Sequence, residues 1–283
     1  MFNGNIEKWD VSSVVDMTSM FTAATSFNQK IGDWDVSGVE LMTQMFSVAQ
    51  AFNQSLLDWD VSSVVDMTSM FNSASSFNRN LNNWDVSNVE RMSSMFRLAE
   101  DFNRSLRNWE VSSVRNMSNM FVGASSFNQD LGNWDISSVT SMLVMLSNSG
   151  LDVNNYDATV NGWASLSTIP ANITIGVDGL EYCNSEANWS DLENNHGWDF
   201  QRHSAQSVVE NTINVTDIHW YGIGSAWSEN RFPSSCDDVV IPTNINIDIE
   251  AGDIGLGLTL DVELGGSLTV PVGSELIIAG SSN

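Results

Sequence analysis

Six carboxylates recur at a fixed interval: Asp10, Asp35, Asp60, Asp85, Glu110 and Asp135 stand 25 residues apart. A regular ladder of this kind can hold hard cations. Each member, however, precedes serine at the head of a segment with helical spacing, where a carboxylate caps the helix and is favoured by its dipole. The cap is the simpler reading, and a metal ladder is its alternative. Other chemistry is harder to find. His196, His203 and His219 have no Ser-His-Asp or Cys-His signature near them, and no phosphate-binding glycine loop occurs. Glu186, His196 and Asp199 lack the tight spacing of a metal site. Acids are plentiful, but a glycosidase is recognised by its cleft. The chain reads as a non-enzyme with no resident cofactor.

The interval itself is the stronger signal. Tryptophan recurs at Trp9, Trp34, Trp59, Trp84, Trp109 and Trp134, and phenylalanine at Phe2, Phe27, Phe52, Phe77, Phe102 and Phe127. Two further columns, from Met17 and Met20 to Met142 and Met145, hold 12 of the 13 methionines. The unit reads F-N-x-x-(I/L)-x-x-W-(D/E)-(V/I)-S-x-V-x-x-M-x-x-M-(F/L), six copies without a gap. No unit can bury that apolar set alone, so the copies must stack into one core. Val14, Met17, Met20 and Phe21 have the spacing of a short helix, and Phe27 to Val36 reads as extended. The expected fold is an α/β repeat solenoid, leucine-rich-repeat-like, with a short helix, or a tight helical turn, and a short strand per coil. The Asn3, Asn28, Asn53, Asn78, Asn103 and Asn128 column is expected to point inward and satisfy backbone groups of neighbouring coils. The methionines read as core filler, not copper ligands.

Composition narrows the partners. The formal charge is −25, and its distribution is uneven: residues 1–150 carry 16 acidic and 8 basic side chains, residues 151–283 carry 19 and 2. A field of that sign opposes nucleic acid and anionic membrane surfaces. No apolar run approaches the ~20 residues of a membrane helix. Phe2-Asn3-Gly4-Asn5 is already repeat sequence, so the chain reads as part of a longer polypeptide. Cys183 and Cys236 permit one disulfide, although they fall in different segments and free buried thiols are the simpler expectation.

The repeat resembles the 25-residue unit of BspA-like leucine-rich-repeat bacterial surface proteins, and the resemblance covers all six copies. It implies a solenoid, surface or secreted placement, and adhesion or partner binding, with no catalytic residues to carry over. The segment N-Y-D…G-W-A…Y-C-N-x-E-A…H-G-W over 151–202 resembles the sequence that follows such repeats, so residues 150–207 are expected to cap the stack. Residues 208–283 alternate apolar and polar residues between glycines and read as an all-β module, β-solenoid-like or sandwich-like. The stretch from Trp220 to Pro242 resembles the opening of β-rich modules in large secreted bacterial proteins.

Specificity is expected where copies differ. Residues 9–21 and 59–71 are identical, whereas copies four and five carry Arg79, Arg91, Arg97, Arg104, Arg107 and Arg115 in an otherwise base-poor chain. Arg79 and Arg104 share the column that holds Gln29, Gln54 and Gln129 elsewhere, and Arg115 shares one with Glu90, its expected ion-pair partner. Arg79, Arg91, Arg97, Arg104 and Arg107 form the candidate partner-binding patch; charge balancing against Glu100, Asp101 and Glu110 is the alternative. Trp220, Tyr221 and Trp227 are candidates for stacking on sugar rings, and Asp237, Asp238, Asp248 and Asp253 for binding calcium. The leading expectation is a non-enzymatic surface protein that binds a protein or glycan; the alternatives are a glycan-binding module or a passive stalk.

Overall fold

The structure is a computed structural model that describes residues 2–183 and 185–201 in full and, beyond them, the backbone of the strands named below. Two compact units are present: Met1–Glu181 with Ser185–Ser204, and Tyr182–Asn184 with Ala205–Asn283.

Residues 2–149 contain neither an α-helix nor a continuous strand. The backbone groups instead divide between two destinations. Met17, Ser19, Phe21 and Ala23 donate their N–H groups to the carbonyls of Leu41, Thr43, Met45 and Ser47 in the next coil, at 2.7–2.9 Å. The N–H groups of Met20, Thr22 and Ala24 close tight turns on Met17, Ser19 and Phe21. The pattern recurs from Met42, Met67, Met92 and Met117. Single-residue parallel bridges join Asp16, Leu41, Asp66, Arg91, Asn116 and Ser141 in one column.

Of the two expectations for this segment, the continuous helix does not form, and tight turns stand in its place. A helix would return each N–H to the carbonyl four residues back and leave none to reach the next coil. Two residues per coil also adopt positive φ, for example Ser19 at 59° and Ala23 at 57°, which a right-handed helix cannot contain. The segment read as extended, Phe27 to Val36, pairs no strand; the ladder lies at the start of the methionine segment instead.

Side chains tie the same steps. The Trp34, Trp59, Trp84, Trp109 and Trp134 indoles each donate to the carbonyl of Ile6, Ile31, Leu56, Leu81 and Leu106 respectively, at 2.8–3.2 Å. Phe46 stacks closely on Phe52, six residues on, at 4.1 Å, and Phe52 meets Phe77, the same position of the following copy, at 5.9 Å. The rings and both methionine columns are fully buried from the second coil on. In the first, Phe2 and Trp9 are about half exposed, because no described coil lies before them.

The Asn column does bond the neighbouring coil. Asn3, Asn28, Asn53, Asn78 and Asn103 each present Oδ1 to the backbone N–H 25 residues on, at 3.0–3.2 Å. These side chains are exposed or half-buried rather than inward, so they seal an edge of the stack.

The segment after the repeats imitates a coil. Asp152 takes the place of the next asparagine, with its N–H on Asn128 Oδ1 at 3.0 Å, and its own carboxylate caps α1 (Val153–Ala164) through Asn155. Trp163 on α1 continues the tryptophan series by donating to the Leu131 carbonyl. Gly162 packs so closely on Gly132 that no side chain fits between them. β1 (Thr174–Gly176) accepts the last coil's N–H groups, Leu146 on Gly176, and pairs in parallel with β3 (Asp199–Gln201) after β2 (Glu181–Tyr182) and α2 (Glu186–His196). No helix among the described residues is long and apolar enough to cross a membrane.

After β4 (Ser204–Ala205), the second unit holds β5 (Val209–Thr212), β6 (Ile218–His219), β7 (Asp237–Ile241), β8 (Asn246–Asp248), β9 (Ile254–Gly257), β10 (Thr259–Val262), β11 (Ser267–Thr269) and β12 (Glu275–Ile278). They form the parallel ladders β10-β7-β5, β11-β8-β6 and β12-β9. Three successive pairs keep one register, Asp238 with Thr259, Asn246 with Ser267 and Ile254 with Glu275, each 21 residues apart. Cys183 is disulfide-bonded, which corrects the free-thiol expectation; Cys236, the one other cysteine of the sequence, lies outside the described residues.

Two substitutions test this framework with opposite signs. Gln44 is exposed and holds φ 57°, a conformation that asparagine tolerates and that Asn119 occupies in the same column. Gln44→Asn is expected to raise stability in urea denaturation by about 0.5–1 kcal/mol. Gly162→Ala forces a methyl against the Gly132 backbone and is expected to lower it by about 1–3 kcal/mol.

Candidate functional site

The arginines of copies four and five are the sequence-predicted site, and the structure does not gather them all. Arg79 and Arg104 are exposed, and each is anchored through Nε to the preceding coil: Arg79 donates to the Asn53 carbonyl at 2.8 Å, Arg104 to the Asn78 carbonyl at 3.2 Å. In the glutamine-bearing coils the same position bonds the asparagine side chain instead, as Gln54 Nε2 to Asn28 Oδ1 at 2.9 Å. Arg107 lies against Asn133, whose amide oxygen, turned toward the guanidinium, accepts from Nε at 2.6 Å and Nη2 at 3.2 Å.

Arg91 is occupied differently. Its Nε donates to Asp66 Oδ2 at 2.8 Å across the coil step. Burial pulls the Asp66 carboxyl up, but the hydrogen bonds from Arg91 and Thr68 together with the Arg91 charge outweigh it and hold the group below its ordinary value. Arg97 is half-buried in the methionine segment. The Arg115 and Glu90 side chains do not pair; what joins them is the Arg115 backbone N–H on the Glu90 carbonyl at 2.9 Å, and the nearest cation to Glu90 among the described residues is Arg91 at 4.0 Å. The patch thus separates into Arg79 and Arg104 beside the asparagine column, Arg107 against Asn133, and Arg91 and Arg97 within the methionine segment.

Sequence reasoning missed Asp66. The column arithmetic that linked Arg115 to Glu90 would have found it, since Arg91 stands 25 residues after Asp66. It also missed Asn133, which lies 26 residues after Arg107 and so falls off the column.

The carboxylate ladder resolves into local turns. Asp10, Asp35, Asp60 and Asp85 each accept through Oδ1 from the backbone N–H and the hydroxyl of the serine two residues on, at 2.6–3.1 Å. The cap is real, but what it caps is a turn. The hydroxyl first, and the backbone N–H with it, hold Asp10, Asp35 and Asp85 below the usual carboxylate range.

A shallow cavity of about 220 Å³ is lined by Lys30, Gly32, Asp33, Gln54, Ser55 and Asp58 between copies two and three. The sugar-stacking candidates Trp220, Tyr221 and Trp227 lie outside the described residues, as does Asp253. Asp237 and Asp238 fall on β7 and Asp248 on β8, in two different sheets.

The repeat geometry, six coils continued by the Trp163 step, coincides with a family assignment. The chain belongs to the DUF285 family. That family, described as Mycoplasma protein of unknown function, matches twice, over residues 1–82 and 54–163. The second match ends at Trp163, the residue that extends the tryptophan series. The chain is a repeat protein. No curated protein and no solved structure matches it.

The serine-bonded aspartates set a pH dependence. Their folded values lie below the unfolded one, ~3.9, so their stabilisation is complete above it and is lost as pH falls through the lower folded values. Melting temperature is expected to drop over that acid range, and to drop less in the Ser37→Ala, Ser87→Ala double variant, which removes the two hydroxyl donors. Equal acid slopes in the two proteins would contradict the assignment.

Proposed function

We propose that this chain is a non-enzymatic, surface-displayed or secreted partner-binding protein of BspA-like, leucine-rich-repeat-related type, its repeats forming a solenoid whose exposed columns meet a partner. The observation that carries the reading is the division of labour within the coil. The recurring Phe, Trp, Met and Asn all serve the step to the next coil. What varies between copies lies at the surface, half-buried at Gln29 and Gln54 and exposed at Arg79 and Arg104. A surface that changes over a constant framework suits recognition. The 25-residue bridges support the solenoid, and the parallel 21-residue register of the second unit supports a β-solenoid-like reading there. Calcium binding by the second unit remains part of the proposal only as an accessory to it.

The test is binding of the full chain, fluorescently labelled, to intact cells and to extracellular matrix. Saturable binding competed by unlabelled protein is expected. Binding that never saturates, or none at all, would leave the passive stalk as the better account.

A further inference from the structure

We propose that Arg79 and Arg104 act as a pair that binds two carboxylates carried on alternate residues of an extended, acidic peptide segment of a partner protein. This rests on the partner-binding reading above and names what the partner presents.

The first support is the anchoring of the two side chains. Each guanidinium is fixed through Nε to a backbone carbonyl of the coil before it, at 2.8 and 3.2 Å. That fixes the plane of the group and leaves the two terminal nitrogens as a fork directed away from the bond, the geometry in which arginine takes a carboxylate with two parallel hydrogen bonds. An anchored arginine loses less freedom on binding than a loose one.

The second is the missing counter-ion. Among the described residues, no carboxylate lies within 4.0 Å of either group, whereas Arg91 is matched by Asp66. Two like charges one coil apart repel each other, and an anion between them removes that repulsion. Copies four and five hold six arginines and five carboxylates, net +1, in a chain of −25. The pair is a cationic island in an acidic protein.

Spacing selects the occupant. Phe77 and Phe102, two residues before the arginines in the same loop, have ring centres 6.0 Å apart. Side chains on one face of an extended strand recur at roughly 6.6–6.8 Å, twice the rise per residue. Glutamates or aspartates at alternate positions can therefore meet successive coils. A densely charged polyanion is disfavoured by the remaining negative charge, while a short segment with few acids lies within the ~8 Å over which the local arginines prevail at physiological salt.

The experiment titrates the full chain with a short synthetic peptide of alternating glutamate and threonine, followed by fluorescence anisotropy at low and at physiological ionic strength. The comparison protein is Arg79→Gln, Arg104→Gln, which places in both coils the residue that three other copies carry and so retains the fold, as circular dichroism can verify. Wild type is expected to bind, more weakly as salt rises, and the double variant at least about tenfold more weakly. Three results overturn the proposal: no binding by wild type, equal binding by the double variant, or preferential capture of a sulfated polysaccharide at the same pair. None of these touches the wider reading if the chain still binds cells saturably; loss of cell binding alone, with the peptide still held at the arginines, would count against that reading instead.

Discussion

Everything in residues 2–149 depends on one hydrogen bond: a backbone N–H reaching the carbonyl 24 residues later. Four such bonds leave each coil from alternate residues of the methionine segment. They require that those N–H groups not be used locally, so the segment cannot be a helix, and that the carbonyls all face the preceding coil. Positive φ at two positions per coil turns the chain so that both conditions hold. The residues that bear this conformation include Ser19, Gln44 and Val48, which pay a conformational cost that the inter-coil bonds must offset.

Once that step is set, the invariant side chains follow from it. Tryptophan is needed because its indole N–H can satisfy a carbonyl in the apolar interior of the previous coil while the ring fills the same step. Asparagine is needed because one short acceptor reaches one backbone N–H across the edge. Aspartate does its work inside its own coil, by closing the turn that returns the chain toward the methionines. The arginines of copies four and five enter at a position where the fold asks only for a donor. Glutamine meets that request, and arginine meets it with charge to spare.

The period made much of this legible. Column arithmetic placed the aromatic and methionine core, the asparagine bonds between coils and the substitution of arginine for glutamine. It left the secondary structure open between a helix and a tight helical turn for a physical reason: inward residues spaced three, three and one apart suit a chain of tight turns as well as a helix. The left-handed positions gave no warning, since glycine stands at only one of them in the repeats, Gly123. Shared columns likewise promise backbone proximity and no more. Arg115 bonds Glu90 through its main chain, yet the two charges do not pair, while Arg91 and Asp66 pair through Nε at 2.8 Å. The end of the repeats was visible as an interruption of the period, but the mimicry of a coil by the segment that follows was not, because Asp152 and Trp163 reproduce the asparagine and tryptophan contacts at different intervals.

The methionine-segment bonds all run in one direction, from each coil to the one after it. Stacked parallel peptide dipoles of this kind add rather than cancel. The column accordingly has an electrical polarity, negative toward its first coil and positive toward the last, where β1 receives the final donors. Within the described repeats each methionine segment thus offers acceptors to the coil before it and donors to the coil after it, so the two faces of one coil are chemically unlike.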